Sequence, residues 1–317
     1  MEHIRNLAEE LVKARQSFPY FLRRHVFLPV REDGDDTRGV QPWDWWPVHD
    51  SMVEDLERQP RLCVLKARQI SWSSLLAAYH LWSAMFQPNY LGGVISAGQT
   101  EASEFLDKCR FIYDHLPWES RPTLTQNNSE IIELAASGGS VRAFPSTPKA
   151  SRGFTFSRMV IDEAAFHPWA EANYAAYSGA AERGQIIIVS SAGDAERQVV
   201  NDWFQRHWLA AREGRNTYKA RFDGYDVRPG RDAAWYERQR QLFSNRPGQL
   251  EREYPRTPEE AFRSMLAPRF APAAVDAMRD QSSLGIVVDD LPDGVDARYL
   301  QVWAKPRPGL GYVAYTD

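Results

Sequence analysis

Four short and almost unbroken apolar runs constrain this chain more than any other feature. They occupy residues 62–65, 91–96, 159–162 and 186–190. A strand with one wet face alternates apolar and polar side chains. A strand buried on both faces does not, and such runs belong to parallel sheets covered by helices on each side. Segments of helical length separate them, over about 74–86 and 101–115. Strands alternating with helices in this way predict an α/β fold with a mostly parallel sheet. A more polar pair, 131–134 and 140–144, reads as a hairpin around Ser137-Gly138-Gly139. No internal repeat is visible.

Residues 1–24 predict a helix, with Ile4, Leu7, Leu11 and Ala14 at helical spacing. An acidic loop at 32–36 and the aromatic cluster Trp43, Trp45, Trp46 lead into a second helix over about 51–59. Between residues 201 and 256 the chain carries 12 Lys/Arg against 8 Asp/Glu with few apolar runs, which reads as a helical subdomain beside the sheet. Beyond Phe262 it turns Pro- and Asp-rich and ends in one more strand pattern at 311–317. The expected division is a helical extension (1–40), an α/β core (41–200), a lid or linker subdomain (201–265) and a final segment (266–317).

Composition removes several classes of function. The two cysteines, Cys63 and Cys109, give neither a disulfide framework nor a zinc spacing, so a reducing cytoplasm is expected. The charged, amphipathic N-terminus lacks the apolar centre of a secretory signal. No run of about 18 apolar residues exists to span a membrane. A net charge of −4 argues against a static protein gripping nucleic acid over a wide face, but leaves room for transient contact through a local patch.

Open α/β sheets bind ligands at the carboxyl ends of their strands, and three such ends carry chemistry here. The first run opens into Lys66-Ala67-Arg68-Gln69-Ile70-Ser71-Trp72-Ser73-Ser74 before a helix. A standard phosphate loop, GxxxxGK[ST], uses glycines to fold backbone N–H groups around phosphates, a lysine for charge and a hydroxyl for Mg²⁺. This segment lacks both glycines and the lysine before the hydroxyl. It keeps the strand–loop–helix setting, whose helix start favours an anion, and places Lys66 and Arg68 at its front and Ser73 at the hydroxyl position. A plain polar turn is the competing reading. The third run ends in Asp162-Glu163, where Asp162 fits a Mg²⁺ ligand and Glu163 a residue that polarises attacking water. Two adjacent carboxylates repel unless a cation is near. The fourth ends in Ser190-Ser191-Ala192-Gly193, small hydroxyl residues suited to sensing a γ-phosphate or to an ordinary strand exit. All three occur in the order of a RecA-like ATPase, with Lys66 and Asp162 about a hundred residues apart.

The segment from Lys66-Ala67-Arg68-Gln69 through Ser73 and the Leu/Ala-rich helix to Trp82 resembles the Walker A region of bacteriophage terminase large subunits. Many of these read KARQLGxS, and some place the lysine at the loop's front, as Lys66 is here. Ser71 departs from the family's usual Gly, and Trp72 from the Lys of other members. Further segments resemble the family in order: Ser96-Ala97-Gly98-Gln99, Ser151-Arg152-Gly153, the Walker B form Asp162-Glu163-Ala164-Ala165-Phe166, the coupling motif Ser190-Ser191-Ala192-Gly193, and Glu253-Tyr254-Pro255 with Thr257-Pro258-Glu259-Glu260-Ala261-Phe262. The resemblance covers about residues 40–317.

The resemblance implies the motor domain that drives viral double-stranded DNA into a procapsid, using ATP and Mg²⁺ on a RecA-like phosphate-loop fold with a small helical lid. It implies a loop of residues 66–74 around the phosphates, Glu163 and Arg68 at the chemistry, and Arg152 as an arginine finger reaching a neighbouring subunit. His49 stands where the family reads adenine with Gln, Ser190 and Ser191 sit near the γ-phosphate, and Ser73 and Asp162 hold Mg²⁺. Implied partners are DNA, a portal protein, a small terminase subunit and further copies in a ring, in the cytoplasm of an infected bacterium and outside the mature virion. The chain alone is expected to be monomeric. Arg206, Arg212, Arg215, Arg238 and Arg240 are candidate DNA contacts. Asp317 matches the first metal ligand of the RNase H-like nuclease that follows in this family, whose other carboxylates lie beyond it, so no DNA cutting is expected of this chain. Two competing readings are a helicase-like translocase, which normally needs a second RecA-like domain, and a degenerate module that binds DNA or capsid without hydrolysis.

Overall fold

A computed structural model describes residues 2–29, 39–117, 121–150, 153–193, 202–246 and 248–263. These belong to one compact unit, Met1–Ala267. The second unit, Pro268–Asp317, lies outside the described residues, as do Ser151 and Arg152. The strand pattern at 311–317 and Asp317 therefore have no structural account.

The core is an eight-stranded sheet. Strands β3 (Arg61–Lys66), β4 (Leu91–Ser96), β7 (Ser140–Pro145), β8 (Arg158–Asp162), β9 (Gln185–Ser190) and β10 (Lys219–Asp223) run parallel, while β6 (Ile131–Leu134) and β5 (Leu124–Asn127) extend one edge antiparallel. The order across the sheet is β10-β3-β9-β8-β4-β7-β6-β5. One strand, β9, is thus inserted between β3, which opens into the candidate phosphate loop, and β8, which ends in Asp162. This is the RecA-like arrangement that the sequence predicts. A small separate hairpin pairs β1 (Phe27–Pro29) with β2 (Val40–Pro42).

The central strands β3, β8 and β9 each feed two cores, as burial on both faces requires. Leu62 and Val64 of β3, Val160 of β8 and Ile187 and Val189 of β9 join one apolar cluster. Their neighbours Cys63, Leu65, Met159, Ile161, Ile186 and Ile188 join the other. The first cluster is completed by α2 (Phe18–His25), α3 (Val48–Arg58), α4 (Trp72–Phe86) and α5 (Gln99–Asp114). The second is completed by α6 (Ala170–Ala180), α7 (Trp203–Arg212) and α10 (Pro258–Arg263). Among the described residues no helix is long and apolar enough to cross a membrane.

Two expectations need correction. The helix predicted over 1–24 breaks at Ser17 into α1 (Glu2–Gln16) and α2. Ser17 is extended at φ −143°, and its hydroxyl accepts the Tyr20 N–H at 3.2 Å. A proline in the first turn of α2 suits a new helix start better than a helix interior. Residues 201–256 are also more than a helical neighbour of the sheet. They hold α8 (Ala233–Leu242) and α9 (Gln249–Glu253), but also β10, which pairs residue for residue with β3 from Lys219↔Leu62 to Asp223↔Lys66. The sheet therefore crosses the expected boundary at residue 200.

Candidate active site

The strand order brings the tips of β3, β9 and β8 side by side, and the candidate residues meet there. The Lys66 Nζ lies 2.8 Å from Glu163 Oε1. The Ser73 hydroxyl donates to Asp162 Oδ1 at 3.2 Å. At the tip of β9, the Ser190 Oγ accepts the Ala165 N–H at 3.0 Å, and the Ser191 N–H donates to Glu163 Oε2 at 3.4 Å. Helix α4 has Ser71 at its N-cap, whose side chain caps none of the first-turn amides. Such amides, with the helix dipole behind them, favour a phosphate.

Electrostatics divide the two carboxylates. Burial pushes Asp162 up to about 6, the adjacent Glu163 adds to this, and Lys66 opposes it. Burial would also raise Glu163, but the charge and hydrogen bond of Lys66 outweigh it and hold Glu163 below its usual value. Glu163 is therefore the ionised partner, and Asp162 the one whose ionised form is short of positive charge. A divalent cation beside Asp162 would supply that charge. Among the described residues no three His, Cys, Asp or Glu side chains converge as a protein-only metal cage. Mg²⁺ commonly takes one or two carboxylates and completes its shell with water and phosphate. Ser73 in the first turn of α4 and Asp162 at the tip of β8, two hard oxygen donors joined by a hydrogen bond, fit it.

The candidate loop makes its left-handed turns without glycine. Gln69 and Ser71 both lie in the left-handed region, at φ 58° and 72°. That conformation costs an ordinary L-residue about 1–2 kcal/mol, so neighbouring contacts must hold it. They come from the end of β10 and the segment that follows it. Ala67 N–H donates to Asp223 O and Arg68 N–H to Glu253 O, both at 2.9 Å. The Arg68 guanidinium also pairs with Glu253 Oε2 at 2.9 Å. Arg231 donates to Arg68 O at 2.7 Å and to Gln69 Oε1 at 3.0 Å, and Arg228 to Gln69 O at 3.1 Å. The side chains of Arg68 and Gln69 are exposed, Ser71, Ser73 and Ser74 are half-buried, and Ala67 and Ile70 are buried.

Two candidates have other tasks. The Trp72 side chain is buried and its indole N–H donates to Asp223 Oδ2 at 2.8 Å, so it anchors α4 to β10 and leaves only its backbone to the loop. Asp223 is held in turn by two bonds from Arg221, each 2.8 Å. His49 is fully enclosed. Its Nδ1 accepts from Trp43 Nε1 and from the Trp46 N–H, and its ring stacks on Trp46 at 5.0 Å. Its Nε2 is buried without a hydrogen-bond partner, so no atom of the ring is open to a base edge, which corrects the expected adenine contact. Of the five candidate DNA-binding arginines, four pair with local carboxylates: Arg206 with Asp202, Arg212 with Glu259, Arg215 with Glu213 and Arg240 with Glu237. Arg238 is exposed.

Nothing in the sequence marks Arg228, Arg231 or Asp223, or Glu253 as a loop partner. Glu253 alone carried a signal, as part of a quoted motif.

No protein-family model matches the sequence. Among solved structures, the HK97 bacteriophage large terminase is similar at 14% identity with a TM-score of 0.53, over 84% of this chain and 53% of that one. The large terminase ATPase domain of Thermus phage P74-26 is similar at 17% identity over 62% of this chain and 88% of that one, with a TM-score of 0.46. The large terminase of a thermophilic bacteriophage in complex with ATP-gamma-S is similar at 11% identity over 63% of this chain and 49% of that one, with a TM-score of 0.44. At such identities it is the HK97 likeness that shows a shared fold, and this chain spans about half of that protein's length.

Proposed function

We propose that this chain is the ATP-hydrolysing motor domain of a viral terminase large subunit, and that it moves double-stranded DNA into a procapsid. One observation carries the reading. Lys66 meets Glu163, and Ser73 meets Asp162, at the tips of β3 and β8, with an uncapped helix behind the loop between them. A polar turn alone gives no reason for a buried lysine, a buried aspartate and a glutamate to converge there. The motif order and the fold shared with a phage large terminase support the choice of motor.

In this account Lys66 leaves Glu163 for the incoming β- and γ-phosphates, taking over the charge that a standard loop supplies from its back. Glu163, released, orients the attacking water and accepts its hydrogen bond. Ser73 and Asp162 would hold Mg²⁺, which would supply positive charge beside the transferring phosphoryl group. Ser190 and Ser191 tie the tip of β9 to the Walker B turn, so a change at Glu163 reaches the next strand. Arg152, carried over from the sequence resemblance, acts from a neighbouring copy in a ring. DNA, a portal protein and a small terminase subunit are the proposed partners, in the cytoplasm of the infected host.

Phosphate release measured with wild type and Glu163→Ala, with and without double-stranded DNA and portal-bearing procapsids, tests this. Turnover that DNA and procapsids stimulate, and that Glu163→Ala abolishes, is expected. No turnover under any condition would favour a non-hydrolysing module.

A further inference from the structure

Arg231 is buried, 6% exposed, and its guanidinium donates hydrogen bonds to the candidate phosphate loop. One end of its guanidinium donates to Arg68 O and the other to Gln69 Oε1. The rings of Trp235 and Tyr254 flank it at 4.7 and 5.1 Å. Arg228 adds a bond to Gln69 O and lies 5.6 Å from the Trp46 ring. Among the described residues neither guanidinium pairs with a carboxylate. Burial, and then the neighbouring charge of Arg228, lower Arg231 to about 10. Burying an arginine without a counter-charge is costly, so its position calls for a task.

The loop supplies that task. Among the described residues the side-chain hydrogen bonds of the two arginines fall on Arg68 and Gln69, and Gln69 is one of the two non-glycine loop residues at positive φ. We infer that Arg231, assisted by Arg228, is a positioning residue that holds this glycine-less loop in phosphate-binding geometry, replacing with side-chain hydrogen bonds the conformational freedom that glycine gives a standard loop. The guanidinium fork matters here as much as its charge. A lysine ammonium is a point donor on a flexible stem and does not reproduce a planar two-ended grip. The inference rests on the reading of this loop as an ATP site for its functional consequence, but not for its structural one.

The test joins two readouts. In nucleotide-free protein, hydrogen exchange of peptides covering residues 66–72 should speed up in Arg231→Ala and Arg231→Lys, with thermal melting showing both variants folded. With Mg²⁺ and mant-ATP, both variants should bind about tenfold more weakly and raise KM, with kcat changed by less than about threefold, as expected when uniform binding is lost. Arg228→Ala should act in the same direction by about threefold, and carries the test if Arg231→Ala fails to fold. In a Gln69→Gly background, where positive φ no longer needs holding, Arg231→Ala should cost less than about twofold. Wild-type behaviour of Arg231→Lys would show that only charge matters and overturn the inference. An undiminished loss in the Gln69→Gly background would also overturn it. If wild type binds no mant-ATP while exchange responds as stated, the ATP reading fails and the positioning role stands.

Discussion

Trp72 stands where other members of the resembled family carry a lysine, and the structure gives it a different task. It is buried, and its indole N–H reaches Asp223 on the neighbouring strand. Restoring a lysine there should therefore damage the protein. Trp72→Lys is expected to lower the unfolding free energy by about 3 kcal/mol, the scale of losing a large buried aromatic, and to leave turnover no higher. Trp72→Phe, which keeps the ring and loses the donor, should cost about 1 kcal/mol. Denaturant midpoints with phosphate release measure both; a stable and faster Trp72→Lys protein would contradict the assignment. At this scale the sequence was legible where position in the fold dictates chemistry. Lys66, Ser73, Asp162 and Glu163 stand at strand tips and a helix start, and those places can be read from apolar runs. Arg231, Arg228 and Glu253 could not be read as loop partners. Their contacts join positions some 160 or more residues apart, which no local pattern encodes. His49 was misread because a histidine after tryptophans looks the same in sequence whether it faces a ligand or closes a core.

Elements were legible in proportion to how fully they are buried. The inner strands β3, β4, β8 and β9 lie within a residue or so of the apolar runs, because burial on both faces leaves no polar position to blur them. The antiparallel pair β6 and β7 was visible through its glycine turn. β10 was not. Its sequence, Lys219-Ala220-Arg221-Phe222-Asp223, belongs to an edge, where charged side chains alternate with apolar ones. Its charges are used rather than solvated: Lys219 and Arg221 both pair with Asp55 of α3, and Arg221 with Asp223. Such pairing makes a strand read as a polar segment. The same strand carries the Asp223 that holds both Trp72 and the Ala67 amide, so the missed element is one that shapes the loop.

On the scale of the whole molecule, the two apolar clusters enclose histidines as neutral groups. Burial lowers His49 and His167 to about 4 from an ordinary 6.5. The unfolded chain then binds protons that the folded chain refuses, so their stabilisation is complete above 6.5 and is lost as pH falls toward 4. At pH 5 this amounts to roughly 2 kcal/mol for each. Asp162, raised to about 6, works in the opposite direction between 3.8 and 6, as do Glu57 and Glu253, which burial also raises, but the histidines, with His207 also lowered to about 4, outweigh them. The melting temperature should therefore fall between pH 6.5 and 5, before ordinary carboxylates titrate; a flat or rising midpoint across that window would contradict the burial of these rings. Neither shift bears on the central claim, which is that a glycine-less loop with its lysine at the front still works as a phosphate site. Single-turnover hydrolysis of Mg²⁺-ATP by wild type and Lys66→Ala tests it most directly. The account predicts measurable hydrolysis by wild type and a loss of about a hundredfold or more in Lys66→Ala, the scale of removing a charged group that stabilises the transition state. Equal rates in the two proteins would contradict it.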